Sequence, residues 1–207
     1  MPIHAVLTGD IVNSTKLTAV TEKKLVKALN GILQLYKFEF YRGDSFQVYM
    51  KEPGKALRVA LLCRTAAIKA VQDEDFPGSD IRISIGIGNV KTPVKTLGSA
   101  KGEAFTLSGR LFDEMQKTGT RLSMAIEKDI TNTALSVIAD YINAIFNKMT
   151  VKQAEVVFLL LKGETQQAIT DTLKKSKSTI SQFAGAARWA EIEKLLQHYE
   201  NLINQSI

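Results

Sequence analysis

The residues Ile81-Arg82-Ile83-Ser84-Ile85-Gly86-Ile87-Gly88 decide the fold class of this chain. Isoleucine occupies every second position, and polar or small residues fill the positions between. Because successive side chains of a strand point to opposite faces, this period of two predicts a β-strand with one buried face. The chain therefore contains a sheet that covers a hydrophobic core.

The segments on either side of this strand alternate between strand and helix patterns. Before the isoleucine strand we predict a strand at 3–8, a helix over 17–36 capped by Thr21, a hairpin of strands 38–41 and 45–50, and a helix over 56–71 that ends before a break at 76–79. After it we predict a loop at 91–102, a helix over 103–117 and a strand at 122–126. The β-α-β-β-α-β order predicts a ferredoxin-like αβ sandwich, an antiparallel sheet with helices on one face, and so an α+β fold class.

Residues 130–147 form another helical pattern, with Leu135, Ile138, Ile142 and Ile145 on one stripe. We interpret 129–149 as a linker helix between a domain at 1–128 and an all-α domain at 150–207. Two roles stay open for its apolar stripe: packing against the rest of the chain, or dimerisation.

Composition favours a globular protein with an anionic partner. Hydrophobic residues make up 45% of the 207 residues, enough for a packed core. The net charge is +6, from 27 Lys+Arg and 21 Asp+Glu, which favours nucleic acid or nucleotide phosphate as a partner. The single cysteine, Cys63, lies in an apolar run and cannot form an internal disulfide, so it reads as a buried hydrophobe.

The chain shows no sign of a membrane or secretory destination. Its first residues are too short an apolar run for a signal peptide, and no stretch approaches the roughly 20 apolar residues of a membrane span. We therefore expect a cytoplasmic protein with no membrane partner. His4 and His198 are the only histidines, too few for a histidine metal site or a Ser-His-Asp triad.

Two aspartates follow neighbouring strands and form the first candidate site. Asp10 ends the first strand, and Asp44 lies in the turn of the hairpin. Such a pair suits Mg²⁺ or Mn²⁺, because these ions bind one or two carboxylates together with substrate phosphates. The hydroxyls of Ser14 and Thr15 at a helix start offer donors to phosphate. Taken one at a time, Asp10 also suits a helix N-cap and Asp44 a turn.

In combination and order, these motifs resemble the class III nucleotidyl cyclases over residues 3 to 126. The segments that carry the resemblance are Thr8-Gly9-Asp10-Ile11-Val12-Asn13-Ser14-Thr15, Gly43-Asp44, the isoleucine strand, and Gly102-Glu103-Ala104-Phe105-Thr106-Leu107-Ser108-Gly109-Arg110. The resemblance implies that Asp10 and Asp44 bind metal and that Arg110 stabilises charge on the phosphates. The chain is more similar still to the SatD-like proteins, which have T-G-D-I near the start and R-G-D-S-F, here Arg42 to Phe46, after the first helix.

Other positions of the cyclase pattern are replaced. The asparagine expected before the arginine is Thr106, and the purine-selecting positions fall at Phe40, with Glu39 one place off, and near Ser99. No lysine motif for the triphosphate follows Arg110. The resemblance therefore implies that the metal-binding positions are kept and that the positions which select the purine base are replaced.

The second candidate site lies in the all-α domain. Thr150 and Gln153 give a capping-box start, Gly163 closes that helix, 164–173 is a short helix, and a polar turn at 174–177 precedes a third helix over 178–189. The segments Thr150…Gln153…Glu155-Val156, Gly163…Thr165…Ile169-Thr170 and Leu173…Ser176-Lys177-Ser178-Thr179-Ile180-Ser181 resemble the LuxR-type and sigma-like helix-turn-helix, although Thr170 replaces a small Ala and Lys174 the turn Gly.

A helix of this kind enters the major groove by its N-terminal residues. The resemblance implies base contacts from Ser178, Thr179 and Gln182. It implies phosphate contacts from Lys174, Lys175, Lys177 and Arg188. A three-helix packing or protein-binding domain is the alternative.

Two functions follow from these sites. The first is a DNA-binding transcriptional regulator that senses a nucleotide or divalent metal, with double-stranded DNA as its partner. It is expected to act as a homodimer paired through the apolar stripe Leu195, Leu196, Tyr199, Leu202 and Ile203. The second is an enzyme, a nucleotidyl cyclase or related nucleotidyltransferase that uses two metal ions.

Overall fold

The strand that carries the isoleucine repeat lies inside a five-stranded sheet. The computed structural model describes residues 1–41, 43–70, 79–127 and 129–207. Within them the strands are β1 (Ile3–Ile11), β2 (Lys37–Tyr41), β3 (Ser45–Met50), β4 (Ile81–Asn89) and β5 (Leu122–Ile126). Their order across the sheet is β2-β3-β1-β4-β5, and only the β4–β5 pair is parallel among the described strands.

Three helices connect these strands: α1 (Ala19–Leu33), α2 (Ala56–Ala70) and α3 (Glu103–Thr118). The first six elements therefore run β-α-β-β-α-β with the spatial strand order of a ferredoxin-like sandwich, and β5 extends the sheet beside β4. The predicted α+β class is confirmed.

The prediction that the isoleucine strand has only one buried face is wrong, because α3 packs on its second face. The isoleucines of β4 pack into a core with Leu25 and Leu29 of α1 and residues of α2. The small residues between them face α3 on the other side: Ser84 donates to the carbonyl of Ser108 at 2.8 Å. A Cβ on Gly86 would lie 2.3 Å from the carbonyl oxygen of Ala104. The alternation thus marks two buried faces, one for branched side chains and one for a closely packed helix.

Some predicted boundaries also change. The N-cap of α1 is Thr18, whose Oγ1 accepts from the backbone N–H of Thr21 at 3.2 Å, so Thr21 is not the cap. The chain reaches α1 through a short 3-10 turn, Ser14–Lys16, and the helix ends before residue 36. Residues 42, 71–78 and 128 lie outside the described residues. They include the predicted end of α2 at residue 71, most of the predicted break at 76–79 and the predicted domain limit at 128.

The C-terminal part of the described chain is helical. Its elements are α4 (Asp129–Phe146), α5 (Val151–Leu161), α6 (Gln166–Leu173), α7 (Lys177–Ala186) and α8 (Trp189–Ser206). The capping box at Thr150 and Gln153 is present, and Gly163 adopts a positive φ of 86° after α5. The predicted third helix does not continue to Trp189, because Arg188 takes a left-handed conformation with φ 57° and separates α7 from α8.

These helices pack on the α/β layer. The stripe Leu135, Ile138, Ile142 and Ile145 of α4 is buried in the same core as the isoleucines of β4, which favours its packing role. On α8, Leu196, Tyr199 and Ile203 are buried in this core, so their side chains do not form an exposed stripe, whereas Leu195 and Leu202 are only partly buried. No helix in the described ranges combines the length and apolar character needed to cross a membrane.

Candidate functional site

The predicted carboxylate pair comes together at one end of the sheet. Asp10, the second-last residue of β1, pairs with Ser45, the first residue of β3, so Asp44 lies next to it. The backbone N–H of Ile11 donates to the carbonyl oxygen of Asp44 at 3.0 Å and fixes this approach. The neighbouring positions are also tight, because a Cβ on Gly9 would lie 2.7 Å from Cζ of the buried Phe46. The T-G-D-I and D-S-F segments therefore interlock and hold the two aspartates together.

Asp44 is held by hydroxyl groups. Ser14 Oγ donates to Asp44 Oδ2 at 2.8 Å, and Ser45 Oγ donates to Asp44 Oδ1 at 3.4 Å. Ser14 starts the 3-10 turn that follows β1, and Asn13 before it has a positive φ of 58° that turns the chain toward the hairpin. Thr15 lies exposed on the same turn. Ser14 is thus in contact with the pair, whereas Thr15 is only near it.

Asp10 is incompletely satisfied. Its side chain is 19% exposed, and its Oδ2 accepts from Arg82 Nη1 at 3.3 Å. Its Oδ1 is buried and has no hydrogen-bond partner in the described part of the chain, and the same holds for Nε of Arg82. Buried polar atoms are nearly always hydrogen-bonded, so this oxygen beside a second carboxylate is a candidate contact for an external ligand.

Burial and the adjacent charge of Asp44 raise the pKa of Asp10, while the nearby guanidinium groups of Arg82 and Arg121 offset part of that rise. A raised pKa means that the ionised carboxylate is penalised where it stands. A divalent cation between the two aspartates would remove that penalty, since it supplies positive charge and a partner for Oδ1.

Sequence reasoning missed Arg82. The register of the sheet places Arg82 on β4 directly opposite Asp10, as a cross-strand pair. The signal was available in the alternation itself, because Arg82 shares its face of β4 with the small residues Ser84 and Gly86. A charged residue among small ones on a strand suggests a specific partner on the next strand.

The residues at the purine-selecting positions of the cyclase pattern make contacts within the protein. Phe40 packs with Phe38 and Phe46 in ring contacts with centroids 6.0 and 5.7 Å away. Glu39 accepts from the backbone N–H of Leu97 at 2.9 Å and from Tyr41 Oη at 2.8 Å, and the Leu97 hydrogen bond lowers the pKa of Glu39. Glu39 therefore anchors the 91–102 loop, and Phe40 packs within an aromatic cluster.

The other cyclase-pattern residues lie on α3 or outside the described residues. Arg110 and Thr106 are exposed, four positions apart on that helix. Ser108, between them, faces inward and donates to Thr8 Oγ1 at 2.7 Å, which ties α3 to β1 two residues before Asp10. Arg42, the first residue of the hairpin motif, lies outside the described residues.

The second candidate site is the pair α6 and α7. Lys174 ends α6 in a left-handed conformation, with φ 52° and ψ 43°, and Ser176 caps α7 by accepting from the backbone N–H of Thr179 at 3.1 Å. Ile169, Ile180 and Ala184 pack in a small core with α5. Lys174 thus takes the left-handed position that glycine commonly fills at the end of a helix.

The outer face of α7 is open. Lys177, Ser178 and Gln182 are exposed, and Lys174 is exposed in the turn. Lys175 and Thr179 are half-buried, and Thr179 also shares a hydrogen bond of 2.8 Å with Ser176 Oγ.

Arg188 differs from these residues. It donates to Glu191 Oε1 at 3.0 Å and to the hydroxyl of Tyr141, and its guanidinium lies 5.0 Å from the centroid of the Tyr141 ring. The predicted DNA-contacting residues are thus brought to one surface except Arg188, whose guanidinium is engaged within the protein.

Comparison with known proteins gives a limited result. No protein-family model matches the chain, and no curated protein matches it. One solved structure of a bacterial light-regulated adenylyl cyclase is 14% identical with a TM-score of 0.40, and covers 59% of this chain and 74% of its own. A second is 15% identical with a TM-score of 0.38, and the match covers 59% of this chain but 42% of its own. We take function from the residues themselves.

Proposed function

We propose that the α/β layer binds a nucleoside triphosphate together with a divalent cation, Mg²⁺ or Mn²⁺, held by Asp10 and Asp44. The observation that carries this proposal is the buried Oδ1 of Asp10, which has no hydrogen-bond partner among the described residues and stands beside a second carboxylate. Mg²⁺ usually binds one or two protein carboxylates when substrate phosphates supply its other ligands. Ser14 is placed to donate to a phosphate or to orient Asp44.

The same residues suggest that metal and nucleotide bind together. The described residues contain no cluster of three or more His, Cys, Asp or Glu side chains that would hold a metal by themselves. The cation then needs phosphate oxygens, and the phosphates need the cation to approach two carboxylates. Since Phe40 and Glu39 are engaged elsewhere, we expect ATP and GTP to bind with similar affinity.

Calorimetric titration with Mn²⁺, ATP, GTP and their mixtures tests this proposal. We expect weak binding of each component alone and much tighter binding of the mixture. Asp10→Asn and Asp44→Asn should each weaken binding by at least about tenfold, equivalent to about 1.4 kcal/mol. Asp113→Asn on the exposed side of α3 is the matched control and should bind like the wild type. Equal binding by wild type and Asp44→Asn would contradict the proposal.

Mass spectrometry of the same mixtures tests turnover. A cyclic nucleotide that accumulates with wild-type protein but not with Asp44→Asn would make the chain a cyclase-type enzyme. Unchanged nucleotide, with binding retained, would leave a nucleotide-binding domain of the sensing kind.

We propose as a second function that α7 binds double-stranded DNA. The supporting observation is the capped, exposed start of α7, preceded by a turn with Lys174 and Lys175. No acidic residue occurs between Thr172 and Ala190, so phosphates would meet only positive charge there. Ser178 and Gln182 are exposed at the end of the helix that would face base edges.

Electrophoretic mobility shift at low ionic strength tests this second proposal. The pair Lys177→Glu and Gln182→Ala should abolish the shift, whereas Lys117→Glu on α3 should not. Because the turn offers about three lysines, log K should fall with log salt with a slope of roughly −3. A shift that persists in the double variant would contradict a role for α7.

A homodimer would suit this DNA-binding function, because symmetric operators bind two copies. We propose that the partly buried Leu195 and Leu202 of α8, with the exposed Ile130 and Val137 of α4, form its interface. They line a groove of about 890 Å³ between the two helices. Val137→Glu should then shift the sedimentation coefficient from dimer to monomer, and an unchanged coefficient would rule out this interface.

A further inference from the structure

A second cavity lies at the opposite end of β1 from the aspartates. It has a volume of about 760 Å³ and is lined by His4, Tyr36, Tyr49, Lys51 and Pro93, among others. His4 is six residues before Asp10 on the same strand, so the two sites are roughly 20 Å apart at about 3.3 Å per residue. The volume falls in the range of small-molecule pockets.

Two polar side chains in this cavity are almost fully buried. His4 is 8% exposed and Tyr49 is 7% exposed. Their rings meet edge to face at 5.1 Å, and Tyr49 Oη and His4 Nδ1 share a hydrogen bond of 2.7 Å. Nε2 of His4 makes no hydrogen bond within the described part of the chain and is not sealed from solvent. One imidazole nitrogen therefore fixes the ring and the other is free for a ligand.

The rim of the cavity is positively charged. Lys51 follows β3, has no ion-pair partner among the described residues, and lies near enough to His4 to lower the pKa of that imidazole, after burial as the larger cause. Glu52 is neutralised by an ion pair with Lys55 at 2.6 Å. Lys37 donates to the carbonyl oxygens of Val94 and Lys95 and so holds the 91–102 loop against the cavity.

We propose that this cavity, the His4 pocket, binds a small aromatic anion of the size of an aryl phosphate, with its charge on Lys51 and His4 Nε2 and its ring against Tyr36 and Pro93. Lysine and an imidazole N–H are donors suited to an anion. The flat apolar surfaces of the lining residues suit a ring. The site is independent of the proposed nucleotide site.

Histidine NMR tests the proposal directly, because the chain has two histidines and His198 lies on α8 as an internal reference. The probe is phenyl phosphate, titrated in metal-free buffer into the full-length chain. We expect a saturable shift of the His4 ring signals with little change at His198. Lys51→Gln should weaken binding by about tenfold or more, as expected for the loss of a charge-assisted contact.

Two control variants and two control ligands make the result decisive. Lys117→Gln and Asp44→Asn should bind phenyl phosphate like the wild type, and the second separates this site from the Asp10–Asp44 site. Phenol, the neutral analogue, and inorganic phosphate, which lacks the ring, should each bind at least about tenfold more weakly. Equal binding of phenol or phosphate, equal shifts at both histidines, or no effect of Lys51→Gln would overturn the proposal.

Discussion

Two arginine–aspartate pairs lie near the same end of the sheet, and they differ in how completely they are satisfied. Arg64 is 0% exposed and binds Asp80 through two hydrogen bonds, Nε to Oδ1 at 3.0 Å and Nη2 to Oδ2 at 2.6 Å. Its Nη1 donates to Asn143 Oδ1 at 3.1 Å, and its guanidinium lies 4.6 Å from the centroid of Phe146. Arg82 and Asp10 share one contact of 3.3 Å, and Nε of Arg82 and Oδ1 of Asp10 have no partner in the part of the chain that the structure describes.

The difference separates structure from function. A buried arginine whose three nitrogen atoms each have a partner ties elements together, here α2, the start of β4 and α4. A buried pair with atoms left over stabilises the fold less, and its unpaired atoms are available to a ligand. The three predictions below test this reading, beginning with the largest effect.

Replacement of Arg64 by Leu should lower the free energy of unfolding by about 3 kcal/mol, because it leaves the mostly buried Asp80 carboxylate without its counter-charge. Urea unfolding followed by circular dichroism measures the loss. Arg58→Leu, on the exposed side of the same helix with one hydrogen bond to the Leu161 carbonyl, is the control and should cost about 1 kcal/mol. Similar losses for the two variants would remove the contrast drawn here.

Replacement of Arg82 by Gln should lower the free energy of unfolding by only about 1 kcal/mol, since the Arg82–Asp10 contact is single and long. The loss should shrink further when Mn²⁺ and ATP are present, because the cation takes over as the counter-charge of Asp10 and stabilises the folded state by binding. Thermal unfolding with and without the mixture measures both effects. A loss as large as that of Arg64→Leu would make the second pair structural as well.

The smallest effect is a pH dependence. Because the pKa of Asp10 is raised in the folded protein, the folded state holds its proton to higher pH than the unfolded state does. Stability contributed by Asp10 is therefore present at low pH and lost as pH rises through the interval between the ordinary and the raised pKa. Asp10→Asn should lack this loss and be the more stable protein at neutral pH without metal. Urea unfolding of both proteins across this pH interval measures the difference. A wild type that gains stability relative to the variant as pH rises would contradict the prediction.

Much of the fold follows from local patterns. The isoleucine repeat, the hairpin strands and β5 lie where period-two alternation predicts them, because one buried face dictates that spacing. The second buried face of β4 could not be predicted in this way. Ser84 and Gly86 look like solvent-facing residues in sequence, and only the close approach of α3 shows that they are small because a helix lies on them. The break at Arg188 also gave no signal, since a left-handed arginine carries no glycine marker.

The candidate site was predictable in part. Asp10, Asp44 and Ser14 come together as their positions at strand ends predict. Arg82 was missed because its role depends on sheet register, which sequence spacing alone does not provide. Arg64 was missed because an arginine inside a helical pattern normally reads as a solvated residue. Arg188 was grouped with the phosphate-binding lysines by its charge, whereas Tyr141 and Glu191 engage it in the structure.

The buried position of Tyr199 has a practical consequence for studying fragments of this protein. Its ring is fully buried, and its hydroxyl donates to the carbonyl oxygen of Pro53 at 2.9 Å, a residue 146 positions earlier in the chain. Separating the sheet from the last helices would leave an unfilled apolar cavity on one fragment and an exposed aromatic side chain on the other. Expression of either half alone should thus give insoluble material, and the two ends of the chain will have to be studied together.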